Sequence, residues 1–341
     1  MKAWLLHNTC NLADNDSPLT WSEVPTPVPA TKELLIKISC CGVCHTELDE
    51  IEGRTPPPMF PVIPGHQVVG TVAATGMGVT GHKAGDRVGV AWIFAACGVC
   101  NFCLKGEENL CPAFKATGRD AHGGYAEYLT VNEKFAYGIP DFFTDVEAAP
   151  LLCAGAIGYR ALRLTNLTDG DTLGLTGFGA SGHLVLKLAK ALYPNSHVLV
   201  FARSRQEQEF ARTLGAEWAG HIDDVPPEKA TAIIDTTPVW KPVLASLKNL
   251  VPGGRVVINA IRKEETDKAE MLALNYPEHL WMEKEIKSVA NITSADVREF
   301  LELAARHQIS PEVESYPMQQ ANRALLDIKH KHIRGAKVLT W

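Results

Sequence analysis

The chain of 341 residues has no uninterrupted apolar run of the ~20 residues that a membrane-spanning helix needs. Its longest charge-free stretch near the middle, Val88 to Leu104, is shorter and carries three of the cysteines. Nor is there a run of Lys and Arg that could follow a phosphate backbone. The balance of 33 basic against 39 acidic residues leaves a net charge of -6, so nucleic acid is not an expected partner, nor is a membrane. No low-complexity segment and no repeat at solenoid periods is present. The amino end, MKAWLLHNTCN, lacks a sustained apolar region and a small-residue cleavage site, and a cytoplasmic protein is expected. The nine cysteines also lack parity, which argues against a fully paired disulfide framework.

What is there is a globular composition, 46% hydrophobic and 21% charged, long enough for two domains. The first ~135 residues read as strands and loops, with the proline patches PTPVPA and TPPPMFPVIPG as loop chemistry. From about Thr172 the rhythm changes. TLGLT leads through a glycine turn into HLVLKLAKALY, whose apolar residues recur at helical spacing. HVLVFA, RQEQEFARTLGA, ATAIID, a helical stretch from Val239 to Leu250 and RVVINA continue the alternation, which predicts βαβ units and a parallel sheet covered on both faces. This block runs to about Asn291. Beyond it, helices around Asp296–His307 and Gln319–Lys329 and a strand AKVLT form a tail whose place periodicity does not decide.

Three constellations carry chemistry. CGVCNFCLKGEENLC spaces Cys97, Cys100, Cys103 and Cys111 as C-x2-C-x2-C-x7-C, four thiolates that can close a tetrahedral zinc site with no open position; disulfides or an iron–sulfur cluster are the rival readings. CGVCHTE, PGHQ and APLLCAG place Cys44, His66 and Cys153 apart in the chain, and each alone reads as a core residue. In LGLTGFGASGHLVLK, Gly177, Gly179 and Gly182 form G-x-G-x-x-G between a strand and a helix, a dinucleotide fingerprint. Phe178, Ala180 and Ser181 complete that turn, which presents backbone N–H groups and a helix amino terminus to a pyrophosphate. The next strand runs out into Ala202, Arg203, Ser204 and Arg205 with no carboxylate at its end, which points to the 2′-phosphate of NADP(H) rather than NAD(H). The bland reading of the two arginines is a solvated helix start. Beside such a fingerprint a three-ligand metal gains meaning, because hydride transfer to a carbonyl benefits from a Lewis acid on its oxygen.

Together these residues resemble the zinc-dependent alcohol dehydrogenases of the medium-chain dehydrogenase/reductase superfamily, and within it the bacterial relatives of cinnamyl alcohol dehydrogenase. The resemblance runs from CGVCHTE through GHQ, GDRVGV, the four-cysteine lobe, GGYAEY, APLLCAG, GFGASG and DTTPVW to IRGAKVL. It implies an α/β fold: a GroES-like, mainly β catalytic domain over residues 1–152 with a structural-zinc lobe at about 95–113, a Rossmann cofactor domain over 153–291, and a segment 292–341 returning to the catalytic domain. It further implies two zinc ions, a catalytic one on Cys44, His66 and Cys153 and a structural one on the four-cysteine lobe. Thr46 takes the place of the hydroxyl that starts the proton relay, His45 and Arg334 those of phosphate contacts, Thr236 that of a cofactor neighbour, and Trp92 that of an aromatic wall of the substrate pocket.

Three positions depart from the pattern. Gln67 stands where a glutamate is usual, Asp49 where the relay ends in a histidine, and Ile157 where a cofactor-contacting threonine is often found. The expected function is transfer of hydride between NADP(H) and primary alcohols or aldehydes, aromatic or allylic ones included, by a homodimer or homotetramer. A zinc-free quinone or enoyl reductase of the same superfamily and a non-catalytic, zinc-stabilised nucleotide-binding protein are the alternatives.

Overall fold

In the computed structural model, which describes residues 1–330 and 335–341, the alternation of Leu34, Ile36, Ile38 and Cys40 buries one face of the strand Glu33–Val43 while Lys37 stays exposed. That period of two is what a half-buried strand requires. The strand pairs antiparallel with Val68–Thr75, Tyr128–Asn132 and Ala336–Thr340. Arg87–Val90, Ala136–Gly138 and Val313–Pro317 complete a seven-stranded sheet. These strands belong to one of two compact units, Met1–Ala156 with Ile292–Trp341, and Ile157–Asn291 forms the other.

The division falls after Ala156 and not after residue 152, so Cys153 lies in the first unit. Packing explains the difference. Residues Leu151–Gly155 form a widened π-helical turn, and Gly155 lies so close to helix Ser294–Arg306 that a Cβ there would come within 2.1 Å of the Phe300 ring.

In the second unit six strands lie parallel in the spatial order Trp218–Gly220, His197–Phe201, Thr172–Thr176, Ala230–Asp235, Leu250–Ile258, Glu285–Ser288. Every residue of Thr172–Thr176 is buried, as a parallel strand covered on both faces demands. The order reverses between Thr172–Thr176 and Ala230–Asp235, and ligands of open α/β sheets bind outside the carboxyl ends of the strands at such a switch point. Two of the six strands, Trp218–Gly220 and Glu285–Ser288, are not anticipated from the sequence; they are short edge strands, and the second is exposed throughout. The helix expected from Val239 to Leu250 spans Lys241–Lys248, started by Pro242 in its first turn, and Leu250 already opens the next strand.

Leu247 and Leu250 pack with Ala230, Ile233, Leu244 and Val256 into one buried cluster. Replacing Leu247→Ala removes a side chain with no solvent exposure and is expected to cost about 2–5 kcal/mol, read as a lowered urea midpoint; an unchanged midpoint would contradict this packing.

Candidate functional site

The carboxyl end of strand Glu33–Val43 delivers Cys44 to the amino terminus of helix His45–Ile51, which it caps. The cap is reciprocal: Cys44 Sγ accepts the amide of Thr46 at 3.4 Å, and Glu47 Oε2 accepts the amide of Cys44 at 2.9 Å. The other oxygen of Glu47 faces His66, with Nδ1 at 2.5 Å. His66 Nε2 lies 3.7 Å from Cys44 Sγ and 3.2 Å from Cys153 Sγ. The three ligand atoms lie within 4.8 Å of one another. His66 is 1% exposed, whereas Cys44 and Cys153 are half-buried, so the cluster is closed behind and open in front.

Electrostatics test whether a metal fits. The hydrogen bond to Cys153 and then burial push the Cys44 thiol well above its ordinary value. Burial alone would depress the His66 imidazolium, but Glu47 and Cys44 outweigh it and hold the imidazole well above its usual range. Both shifts say that this buried pocket calls for positive charge. Two sulfurs, one imidazole nitrogen and an open side form a donor set suited to a catalytic zinc ion.

The second cluster is local. Cys97, Cys100, Cys103 and Cys111 also bring their sulfurs within 4.8 Å of one another, and all four are free thiols. Cys97 and Cys103 are 3.9 Å apart, close to the ~3.8 Å edge of a tetrahedron with 2.3 Å zinc–sulfur bonds. Backbone amides point inward: Cys100 N donates to Cys97 Sγ at 3.3 Å, and Cys97 N and Ala113 N donate to Cys111 Sγ at 3.4 Å each. Amides of Val99 and Cys100 pull the Cys97 thiol down to about 6. Free, converging sulfurs favour a single four-coordinate metal over disulfides.

In the second unit Gly177 takes φ +80°, a conformation that glycine adopts without strain. A Cβ on Gly177 would come within 2.6 Å of Thr236 Oγ1, and one on Gly182 within 2.9 Å of the Gly177 carbonyl, whereas the space above Gly179 is open. Gly179 caps helix Ala180–Leu192 without a side-chain hydrogen bond, leaving first-turn amides for an anion. The cradle fits a pyrophosphate. Phe178 turns its ring inward against Phe210 at 5.7 Å, so only its backbone borders the turn. Asn259 Nδ2 reaches Ser181 Oγ at 3.5 Å. Ala202 is buried, and Ser204 caps helix Arg205–Thr213 with Glu207 as its reciprocal partner. Arg203 and Arg205 are exposed, and neither has an ion-pair partner among the described residues. The Thr236 hydroxyl donates to the Thr176 carbonyl at 2.9 Å.

Of the remaining sequence candidates, His45 is exposed and Thr46 half-exposed on the first turn after Cys44. Asp49 is buried on the same helix with its carboxylate on Arg54. Trp92 packs against Phe114 at 5.6 Å, and Arg119 lies 5.5 Å from its ring centroid. Arg334 lies outside the described residues. The sequence reading assigned no role to Glu47, although its place three residues after Cys44 is the spacing of a capping box.

Comparison with known proteins supplies the family. The model of the alcohol dehydrogenase GroES-like domain matches residues 30–141. A probable alcohol dehydrogenase, AdhA, of Mycobacterium tuberculosis is 42% identical, with 99% of this chain and 97% of the relative covered. A cinnamyl alcohol dehydrogenase of Sorghum bicolor superimposes with TM-score 0.85 at 28% identity, covering 99% and 97% of the two chains. An acetophenone reductase of Geotrichum candidum in complex with NAD gives 0.84 at 25%, covering 100% and 97%.

The link from Glu47 to His66 yields a direct test. If Cys44, His66 and Cys153 hold zinc, Glu47→Gln is expected to weaken its retention about 10–100-fold, the usual effect of losing an outer partner of a ligating histidine. Competition with a coloured chelator measures it, and unaltered retention would show that Glu47 does not act through His66.

Proposed function

Because the chain belongs to the alcohol dehydrogenases of the medium-chain dehydrogenase/reductase superfamily, we propose that it is a zinc-dependent, NADP(H)-preferring alcohol dehydrogenase or aldehyde reductase. Its substrates on this reading are primary alcohols and aldehydes, aromatic and allylic ones included. The observation that carries the proposal is the convergence of Cys44, His66 and Cys153 within 4.8 Å.

Cys44, His66 and Cys153 would hold the catalytic zinc ion, the four-cysteine lobe a structural one, and the glycine turn with Arg203 and Arg205 the dinucleotide. Bound there, the metal supplies Lewis acidity to the substrate oxygen and the dinucleotide the hydride acceptor or donor. The chain's own residues do the rest. Glu47 keeps the His66 proton on Nδ1 and its Nε2 lone pair free. Thr46, next to the first ligand, offers a hydroxyl that takes the alcohol proton or returns it. Asp49, three residues further along the same helix and held by Arg54, is the next acceptor on that helix face. His45 and Arg334 are assigned to phosphate oxygens, Thr236 to the cofactor cleft through its backbone, and Trp92 to the substrate wall.

Ile286 is exposed on the edge strand Glu285–Ser288, exposed Trp281 and Met282 lie in the turn before it, and among the described residues the strand's outer side has no partner strand. Exposed apolar side chains beside an open edge support a homodimer or homotetramer. Among the described residues no helix is long and apolar enough to cross a membrane.

Two outcomes test the reading. The purified chain is expected to hold two zinc ions and to oxidise NADPH with aldehydes faster than NADH; metal analysis with steady-state kinetics over aliphatic, aromatic and unsaturated aldehydes decides it, and no turnover with any of them would sink it. Replacing Arg203→Ala and Arg205→Ala together is expected to raise KM for NADPH by about tenfold or more, the size of one lost charge-assisted contact, while KM for NADH stays put. Equal effects on both cofactors would count against NADP(H) preference.

A further inference from the structure

At the carboxyl end of strand Ala230–Asp235, Asp235 has no solvent exposure and a full set of donors. Its Oδ1 accepts Thr176 Oγ1 at 2.6 Å, Thr237 Oγ1 at 2.8 Å and the Thr237 amide at 3.2 Å, and its Oδ2 accepts Lys263 Nζ. The Lys263 ammonium, 7% exposed, also donates to the carbonyls of Thr237 at 2.8 Å and Val239 at 2.9 Å. Its three acceptors thus lie within one short stretch, 235–239. The stitching continues on both sides: Glu264 N donates to the Pro238 carbonyl at 2.7 Å, and Asp267 Oδ2 accepts the amides of Trp240 at 2.7 Å and Lys241 at 2.9 Å.

A buried lysine–carboxylate pair is a weak source of stability, because desolvating both ions offsets most of their attraction and an apolar pair often serves as well. Its position offers a better reason. The loop it pins leaves the strand just past the switch point and borders the glycine turn: Thr236 donates to Thr176 O through both its amide, at 3.0 Å, and its hydroxyl, and its Oγ1 lies where a Cβ on Gly177 would collide. An ammonium suits the task, having three donors and no acceptor.

We infer that Lys263 is a positioning residue that holds the 236–240 loop, through Asp235 and the carbonyls of Thr237 and Val239, as a preformed wall of the dinucleotide cleft. The inference rests on the dinucleotide-binding reading of that cleft. Its consequence is preorganisation: cofactor meets a loop already ordered, and the ordering cost does not fall on the binding step.

The test uses the full-length chain. NADPH fluorescence titration without substrate gives Kd for the unmodified protein, Lys263→Met, and the double variant Asp235→Asn with Lys263→Met, which removes both buried charges and guards against misfolding. With thermal midpoints recorded alongside, both folded variants are expected to bind NADPH about tenfold more weakly and, with deuterated NADPH and an aldehyde, to show a larger kinetic isotope effect. In the unmodified, cofactor-free protein the amides of Thr237, Trp240 and Lys241 are expected to exchange slowly with deuterium. If the unmodified chain binds neither NADPH nor NADH, the cleft reading fails and the inference with it. If it binds NADPH and a folded variant binds equally well, only the Lys263 inference is overturned. Fast exchange of those amides before NADPH is added overturns it as well, whether or not the variants fold.

Discussion

Glu47 divides its carboxylate between two tasks, Oε2 holding the amide of Cys44 and Oε1 the imidazole of His66 at 2.5 Å. The first task closes the amino end of helix His45–Ile51, so the cap that starts the helix also sets the backbone from which Cys44 projects. The second fixes the tautomer and the ring plane of His66. One side chain with no solvent exposure thereby couples two residues, 22 apart in the chain, of the cluster that could hold a metal. Cys153 comes in from the other side on a π-helical turn whose last residue is pressed against Phe300. The widened turn departs from regular helix at the residue the site uses, a common association at functional positions.

The two cysteine clusters solve opposite problems. In the four-cysteine lobe the loop's own amides face the sulfurs and pull the Cys97 thiol down to about 6, while burial and the other sulfurs push Cys103 up to about 12. Such a site can assemble from one loop, since all four sulfurs and the amides that face them belong to it. At Cys44 the thiol is pushed up by its neighbours, and the compensating charge must come from a ligand held by distant parts of the chain. The local site is supplied with four sulfurs by one loop. A site drawn from three segments can leave one side open.

This contrast decides what could be read without coordinates. The C-x2-C-x2-C-x7-C spacing was legible because its ligands sit on one loop, and the glycine fingerprint because a strand before it and a helix after it are encoded locally. Cys44, His66 and Cys153 were legible as a set only through family resemblance, since nothing in the heptapeptide PGHQVVG says which cysteines fold against it. The parallel core strands followed from apolar runs such as TLGLT, whereas the exposed edge strand Glu285–Ser288 carries no such pattern. Glu47 and Lys263 were illegible for a shared reason: a charged side chain reads as solvated until tertiary structure buries it beside its partner.

Gln67 shows the same electrostatics from another direction. Two thiolates and an imidazole around a divalent ion sum to zero, and Glu47 adds a buried negative charge. Glu50, one turn along the same helix and only 2% exposed, is pushed well above the carboxylate range, first by burial and then by Glu47. A further negative charge beside Glu50 would push its carboxyl up again. Gln67 is itself 3% exposed, and its side chain lies against Gly42, where a Cβ would come within 2.5 Å of Oε1. A carboxylate there would add another charge with no room to reach solvent. A neutral amide at position 67 avoids that charge, although its Nε2 is buried without a hydrogen-bond partner among the described residues.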